Sequence, residues 1–95
     1  MLCLIKITFL SHPIGEVVAP QGLKGDIRLK PSSDFPERFT KPGKRWIQKS
    51  NELPTEIKLT KGKLIPGKSI YVLSIKGVSN RSSAEKLIGW NLVIP

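Results

Sequence analysis

Apolar and polar residues alternate with a period of two along much of the chain, a pattern typical of β-strands with one buried face. The clearest example is the segment 25–30, in which Ile27 and Leu29 face one way and the charged residues between them face the other. Residues 56–65 alternate in the same way. Residues 14–19, the stretch around Trp46 and Ile47, residues 69–75 and residues 90–94 are also strand-like; the first of these is rich in β-branched residues and shows no helical period. The pattern therefore predicts six strands.

One short helix is predicted near the C-terminal end, in the segment SNRSSAEKLIG at residues 79–89. Asn80 is the expected N-cap, and Ser82 with Glu85 offers a competing capping box. The apolar face of this helix consists of Ala84, Leu87 and Ile88. The helix leads directly into the last predicted strand.

A second, shorter helical turn is predicted in the loop that follows the second strand. Asp34 can cap it, with Glu37 three residues on, and Pro36 suits its first turn because a helix does not need that N–H. Phe35 and Phe39 are expected to plug the core from this loop.

The corner between the first two strands, GLKGD, raises the question of a phosphate-binding loop. It lacks the three glycines of the dinucleotide fingerprint and the Lys-Ser or Lys-Thr pair of a phosphate loop, and a strand rather than a helix follows it. Gly22 and Gly25 are therefore predicted to be structural, with positive φ in at least one of them. Lys24 remains a candidate point charge for a phosphate at the loop tip. Gly62, inside the fourth strand, predicts a bulge or a tight bend.

Six short strands and little helix place the chain in the all-β class. A closed barrel is the economical arrangement because it leaves no exposed sheet edge. We expect a monomer whose core includes Val17, Ile27, Leu29, Ile57, Leu59, Tyr71, Leu73, Leu87, Leu92 and Ile94.

The charge of the chain narrows the choice of partners. A length of 95 residues allows one domain, and 16 Lys and Arg against 7 Asp and Glu give a formal net charge of +9. Such an excess predicts a polyanionic partner, with RNA, DNA and an anionic membrane surface as candidates. The alternative is a solvated basic surface that aids solubility.

Catalytic and metal-binding patterns are absent from the sequence. Cys3 is the only cysteine and His12 the only histidine, so an internal disulfide and a cysteine zinc site are ruled out, and the thiol fits a reducing cytoplasm. The carboxylates are scattered, and the simplest role for Asp26 is a surface ion pair with Arg28. The chain is therefore predicted to be neither an enzyme nor a protein with a cofactor.

The first thirteen residues form a segment of their own. In MLCLIKITFL, Ile5, Ile7 and Phe9 alternate with polar residues, and Lys6 interrupts the apolar run. The run is too short to span a bilayer, and no small-residue cleavage site follows it. We interpret residues 1–13 as an extra strand or a leader, and residues 14–95 as the domain.

Two groups of basic residues are the candidate contacts for a polyanion: Lys24, Arg28 and Lys30, and then Lys44, Arg45 and Lys49. Arg28 and Lys30 share the outward face of one strand about 7 Å apart, a spacing similar to that of successive phosphates. Arg28 and Arg45 are favoured over the lysines because a guanidinium can bind a phosphate at two points. Trp46 lies among these charges, either as a core residue or as an exposed platform for base stacking.

Four segments together resemble one known family. They are IGEVVAPQGLKGDIRLKPSSDFPERF, RWI, GKLIPGKSIYVLSIKGVSNR and SAEKLIGWNLVIP, and they span about residues 14–95. They are similar to the N-terminal domain of the RimM family of ribosome maturation factors, in wording closest to its cyanobacterial branch. The glycine corner combined with the AEKLIG helix and its following strand makes the resemblance specific.

The resemblance implies a six-stranded Greek-key barrel of the translation-factor type. It also implies a non-enzymatic, cytoplasmic role in maturation of the small ribosomal subunit, in which the protein assists head assembly and rRNA processing. The implied partners are the precursor of the small subunit, through its RNA or a ribosomal protein of the head, with no membrane contact.

Two departures and two alternatives accompany this resemblance. The family carries a second, C-terminal barrel of the PRC type, which is absent from this chain, and residues 1–13 do not match the family. The alternative functions are a stand-alone barrel that binds single-stranded nucleic acid and an accessory barrel of a flavin enzyme, for which the sequence shows no motif.

Overall fold

The structure is a computed structural model, and it describes residues 12–32, 36–50 and 52–94. Its strands are β1 (His12–Gln21), β2 (Asp26–Pro31), β3 (Gly43–Gln48), β4 (Thr55–Leu64), β5 (Tyr71–Ile75) and β6 (Asn91–Ile94). Its helices are α1 (Pro36–Thr40), between β2 and β3, and α2 (Arg81–Glu85), between β5 and β6. The expectations for residues 1–11, Asp34 and Phe35 fall outside the described residues.

The six strands form a closed antiparallel barrel in the order β1-β2-β5-β4-β3-β6. Consecutive strands β3, β4 and β5 pair as neighbours, and β6 returns to lie beside β3. A fourth strand that returns beside the first of three is the Greek-key arrangement. The predicted all-β Greek-key barrel is therefore confirmed.

β1 is longer than the predicted segment 14–19 at both ends. It begins at His12, inside the segment interpreted as an extra strand or a leader, and it includes Pro20 and Gln21 beyond the predicted end. Pro20 faces Ile27 of β2 in the register. β1 pairs with β6 only as far as Glu16. At Pro20 one side of the strand is therefore unpaired by β6, and a residue without an N–H is tolerated there.

The core lies inside the barrel and contains most of the predicted residues. The buried ones are Val17, Ile27, Leu29, Leu59, Tyr71, Leu73 and Leu92. Ile57, Leu87 and Ile94 are partly buried and pack against this core. Phe39 closes it from α1 as expected, with its ring centroid 4.7 Å from that of Tyr71.

α2 begins as the sequence predicts. The side chain of Asn80 accepts a hydrogen bond of 2.8 Å from the N–H of Ser83, which makes Asn80 the N-cap rather than Ser82. Glu85 instead forms an ion pair with Arg81 at 3.4 Å. The predicted apolar face is wrong at Ile88, which is exposed, because the helix ends at Glu85 and helical spacing does not continue beyond it.

The register of β4 changes between Leu59 and Lys61. The sequence predicts a bulge or a tight bend at Gly62, and this predicted position is wrong. A Cβ at Gly62 would overlap the carbonyl oxygen of Phe39. Gly62 is therefore explained by the close approach of α1 to the barrel wall.

Candidate nucleic-acid interface

Arg28 lies on the outer surface of the barrel, as the alternation in β2 predicts. Its neighbours Ile27 and Leu29 are buried. The predicted ion pair with Asp26 is replaced by two other hydrogen bonds: Arg28 Nε donates to Oε1 of Gln21, and Asp26 Oδ1 accepts from the hydroxyl of Ser74 at 2.7 Å. The first of these bonds ties the Arg28 guanidinium to Gln21 of the neighbouring strand β1.

Lys30 and Lys24, the other members of the first predicted group, are both exposed but lie in different surroundings. Lys30 is the cross-strand partner of Glu16, so an opposite charge stands directly beside it. Lys24 lies in the turn between β1 and β2, flanked by Gly22 and Gly25. The group therefore contains one residue beside an acid, one at a loop tip, and Arg28 in the middle of the sheet.

The turn glycines take the predicted conformation. Gly22 has φ +72° and Gly25 has φ +96°, a region that residues with a Cβ rarely adopt. A Cβ at Gly25 would also overlap the carbonyl oxygen of Val78. The corner is therefore a structural turn packed against the segment that leads into α2.

The second predicted group is divided by the alternation of β3. Lys44 faces outward, where its Nζ lies 3.9 Å from a carboxylate oxygen of Glu56. Arg45 shares the opposite face of the strand with buried Ile47. Lys49 follows the end of the strand and is exposed. These three residues do not form one surface.

Arg45 binds backbone. Its guanidinium donates to three carbonyl oxygens: that of Arg38 at 2.9 Å, that of Lys41 at 2.7 Å and that of Lys44 at 2.7 Å. Burial, followed by the positive charge of Arg38, lowers the pKa of this guanidinium. Its fork holds the end of α1 against β3, and a direct contact to RNA through Arg45 stays a prediction.

Trp46 is not a core residue. Ile47 turns inward, so Trp46 lies on the outer side of β3, half-buried, between Glu56 of β4 and Val93 of β6 in the register. Interpreting Trp46 as core from its strand context was wrong, because the alternation of β3 assigns the inward position to Ile47. Part of the indole is accessible beside Lys44, its neighbour two positions away on the same face.

The barrel adds basic residues to Arg28 that the sequence did not group with it. β2 pairs with β5 and β5 with β4, which places Val72 opposite Arg28 and Lys63 opposite Val72 in one continuous row. Lys61 lies opposite Ser74 in the next row. We name Arg28, Lys61 and Lys63 the basic face. The hairpin of β4 and β5 was predictable, but the pairing of β2 with β5 follows only from closure of the barrel.

Other classes of site receive no support from the described residues. In residues 12–32, 36–50 and 52–94, no group of three or more His, Cys, Asp or Glu side chains is placed to hold a metal ion. Within the same ranges, no helix is long and apolar enough to cross a membrane.

The sequence matches the family model for the RimM N-terminal domain over residues 12–95. It is 87% identical over 82 residues to the ribosome maturation factor RimM of Prochlorococcus marinus strain NATL1A, covering 86% of this chain and 47% of that protein. It is 54% identical over 83 residues to that of Synechococcus sp. strain CC9311, covering 87% and 44%. The chain thus spans about half the length of these relatives.

Two solved structures share the fold. The crystal structure of a RimM protein from Pseudomonas aeruginosa aligns with a TM-score of 0.70 at 21% identity, covering 90% of this chain and 50% of that one. The solution structure of the N-terminal domain of RimM from Thermus thermophilus aligns with a TM-score of 0.65 at 19% identity, covering 90% and 88%. At these low sequence identities, the similarity supports the fold alone.

Proposed function

Since the chain belongs to the RimM family, matching its N-terminal domain, we propose that it assists maturation of the small ribosomal subunit by binding the precursor particle. It acts in the cytoplasm as a monomer and without a catalytic step. Its contacts are the pre-ribosomal RNA, a ribosomal protein of the head, or both, and they serve head assembly and rRNA processing. The name of its relatives, ribosome maturation factor, supports this role.

The basic face is the observation that carries the RNA contact. Arg28 and Lys63 flank Val72, which is only 7% exposed, so their charged ends stand on a rigid part of the sheet. Neighbouring strands lie about 4.8 Å apart, which separates the Cα atoms of these two residues by about 10 Å. Two fixed cations at that spacing can contact phosphates without reading bases.

The other lysines predicted as contacts lie outside the basic face, and all four are exposed: Lys24, Lys30, Lys44 and Lys49. Gly22 and Gly25, both with positive φ, shape the turn that holds Lys24. We propose these lysines as secondary contacts whose long side chains follow the phosphate backbone.

Sedimentation with ribosomal particles tests the proposal. The tagged chain, incubated with a cyanobacterial lysate and separated on a sucrose gradient, is expected in the fractions that contain precursors of the small subunit. The variant Arg28→Gln, Lys61→Gln, Lys63→Gln should leave those fractions at moderate salt. Retention of this variant at every salt concentration contradicts the electrostatic contact, and absence of the unaltered chain from those fractions contradicts the function.

A stand-alone single-strand-binding barrel is the second candidate, and Trp46 is the observation that favours it. A half-buried indole with an accessible part beside Lys44 is the combination that stacks a base next to a phosphate contact. This alternative expects tight binding to any single-stranded oligonucleotide and no preference for ribosomal particles. The Trp46→Leu variant should then lose most of the oligonucleotide affinity, whereas particle association should persist under the maturation proposal.

A further inference from the structure

Three lysines stand side by side across β3, β4 and β5. Lys44 and Lys58 are register partners. The N–H of Lys76 donates to the carbonyl oxygen of Lys58 at 2.9 Å, which continues the β4–β5 ladder one residue past the pair of Leu59 and Ile75. All three lysines are exposed. We name Lys44, Lys58 and Lys76 the lysine row.

The lysine row works against folding. Like charges directly opposite each other in a sheet are destabilising. Lys44 has a partner in Glu56 at 3.9 Å. The other ion pair in the described part of the chain joins Arg81 to Glu85 on α2. Across the described residues, Lys58 and Lys76 thus face each other without a carboxylate oxygen within 4.0 Å of either ammonium group. An anion bound between them would relieve this repulsion.

Buried neighbours in the sequence fix the direction of the Lys58 and Lys76 side chains. Leu59 follows Lys58 in β4, and Ile75 precedes Lys76 at the end of β5. Both are buried, at 1% and 5% exposure. Alternation then directs Lys58 and Lys76 outward. Replacing these lysines by polar residues removes charge without opening the core.

The lysine row and the basic face form a two-dimensional field of positive charge. Across the strands, the row spans two inter-strand spacings, about 10 Å. Along β4, Lys58, Lys61 and Lys63 share the outer side over about 15 Å. A single extended strand of RNA presents phosphates along one line, whereas a double helix presents two backbones that such a field contacts together.

The surface formed by the lysine row and the basic face offers few aromatic side chains on which a base could stack. Among the described aromatic residues, Phe39 and Tyr71 are buried and Trp90 packs against the core. Trp46, half-buried, borders the row at Lys44 only. Single-strand binders combine a basic groove with several aromatic platforms, and the surface around Lys58 and Lys76 offers charge without such platforms.

We propose that the lysine row is a contact site for the phosphate backbone of double-helical RNA. The proposal rests on the maturation function and specifies which surface and which form of RNA serve it. The contacts are to phosphates, so binding is independent of base sequence and strongly dependent on salt.

Binding of the full chain to a fluorescent RNA duplex of about 16 base pairs, followed by anisotropy over a range of KCl concentrations, tests the proposal. The variant Lys44→Gln, Lys58→Gln, Lys76→Gln should lose roughly tenfold or more in affinity at low salt, and its plot of log K against log salt should be shallower by about 2 to 3. The control variant Lys41→Gln, Lys68→Gln, Lys86→Gln removes the same charge from exposed positions elsewhere. For this control variant, the slope of log K against log salt should differ from that of the unaltered chain by no more than about 1.

Equal losses in the two variants would overturn the row as a site, because net charge alone would then explain binding. Tighter binding of the separated single strands than of the duplex would overturn the assignment to double-helical RNA. Loss of particle association by the row variant with unchanged duplex binding would assign the row to an acidic protein surface, which overturns this inference and leaves the maturation function standing.

Stability supplies an independent readout. Because the lysines repel one another, Lys58→Gln should raise the thermal midpoint at low salt, and added KCl should narrow the difference by screening. A lysine whose main role is to cover the sheet with its alkyl stem would show the opposite sign. A lower midpoint for Lys58→Gln would therefore count against the row as a built anion site.

Discussion

Gly62 of β4 lies so close to the carbonyl group of Phe39 in α1 that a Cβ at position 62 would overlap the carbonyl oxygen. The same Cβ would come within 3.0 Å of Cδ2 of Leu73, a residue that is 1% exposed. On the other side, the Phe39 ring packs on Tyr71. The absence of a side chain at position 62 is therefore what allows α1 to close the barrel.

Gly62→Ala is expected to lower the free energy of unfolding by about 2 kcal/mol or more, because the added methyl group meets backbone on one side and a buried side chain on the other. Urea denaturation followed by tryptophan fluorescence measures the change. Gly67→Ala is the control: Gly67 has φ +76° and no atom within 4 Å of an added Cβ, so only backbone strain of about 1 kcal/mol applies. If the two variants lost the same free energy of unfolding, α1 would be able to move away from position 62 at little cost, which contradicts the steric account of Gly62.

The role of Gly62 also shows where sequence reasoning stops. A glycine inside a strand pattern marks either a bulge or a close approach of backbone, and the letters alone do not distinguish the two. Here the approaching group belongs to Phe39, more than twenty positions earlier in the chain. The bulge itself, between Leu59 and Lys61, carries no glycine.

The two glycines of the first turn should differ in their tolerance. Both have positive φ, but a Cβ at Gly25 would also overlap Val78, whereas Gly22 has open space around it. Gly22→Asn should cost less than about 1 kcal/mol, since Asn adopts this conformation most readily among residues with a Cβ. Gly25→Asn should cost at least about twice as much in the same urea experiment. Similar costs at both positions would contradict the steric account of Gly25.

Much of the fold, and less of the site, could be predicted from the sequence. The alternation of Ile27 and Leu29 with charged residues identified both the buried and the outer face of β2, because a period of two is a local property. That Lys63 stands in one row with Arg28 is not local: it depends on β2 pairing with β5 across the barrel. The same limit hid the lysine row, whose members are far apart in the chain.

Ile27 is the sharpest test of the core assignment. It is 1% exposed and lies opposite Leu73 in the β2–β5 pair. Ile27→Ala should lower the free energy of unfolding by about 2–5 kcal/mol through lost burial and the cavity left behind. Leu23→Ala, at a side chain that is 78% exposed, should change stability by no more than about 0.5 kcal/mol. An unchanged thermal midpoint for Ile27→Ala would show that the residue is not in the core.

Arg45 separates a structural from a binding role for a basic residue. Its guanidinium donates to the carbonyl oxygens of Arg38, Lys41 and Lys44, and a lysine cannot reproduce that planar fork. Arg45→Lys should therefore lower the free energy of unfolding by about 1–3 kcal/mol, although the charge is retained. Arg38→Lys makes the same exchange at an exposed side chain of α1 and should change stability by less than about 0.5 kcal/mol. The duplex affinity of folded Arg45→Lys should equal that of the unaltered chain. If stability is unchanged while affinity falls, the guanidinium contacts RNA directly, and its three hydrogen bonds to backbone do not hold α1 in solution.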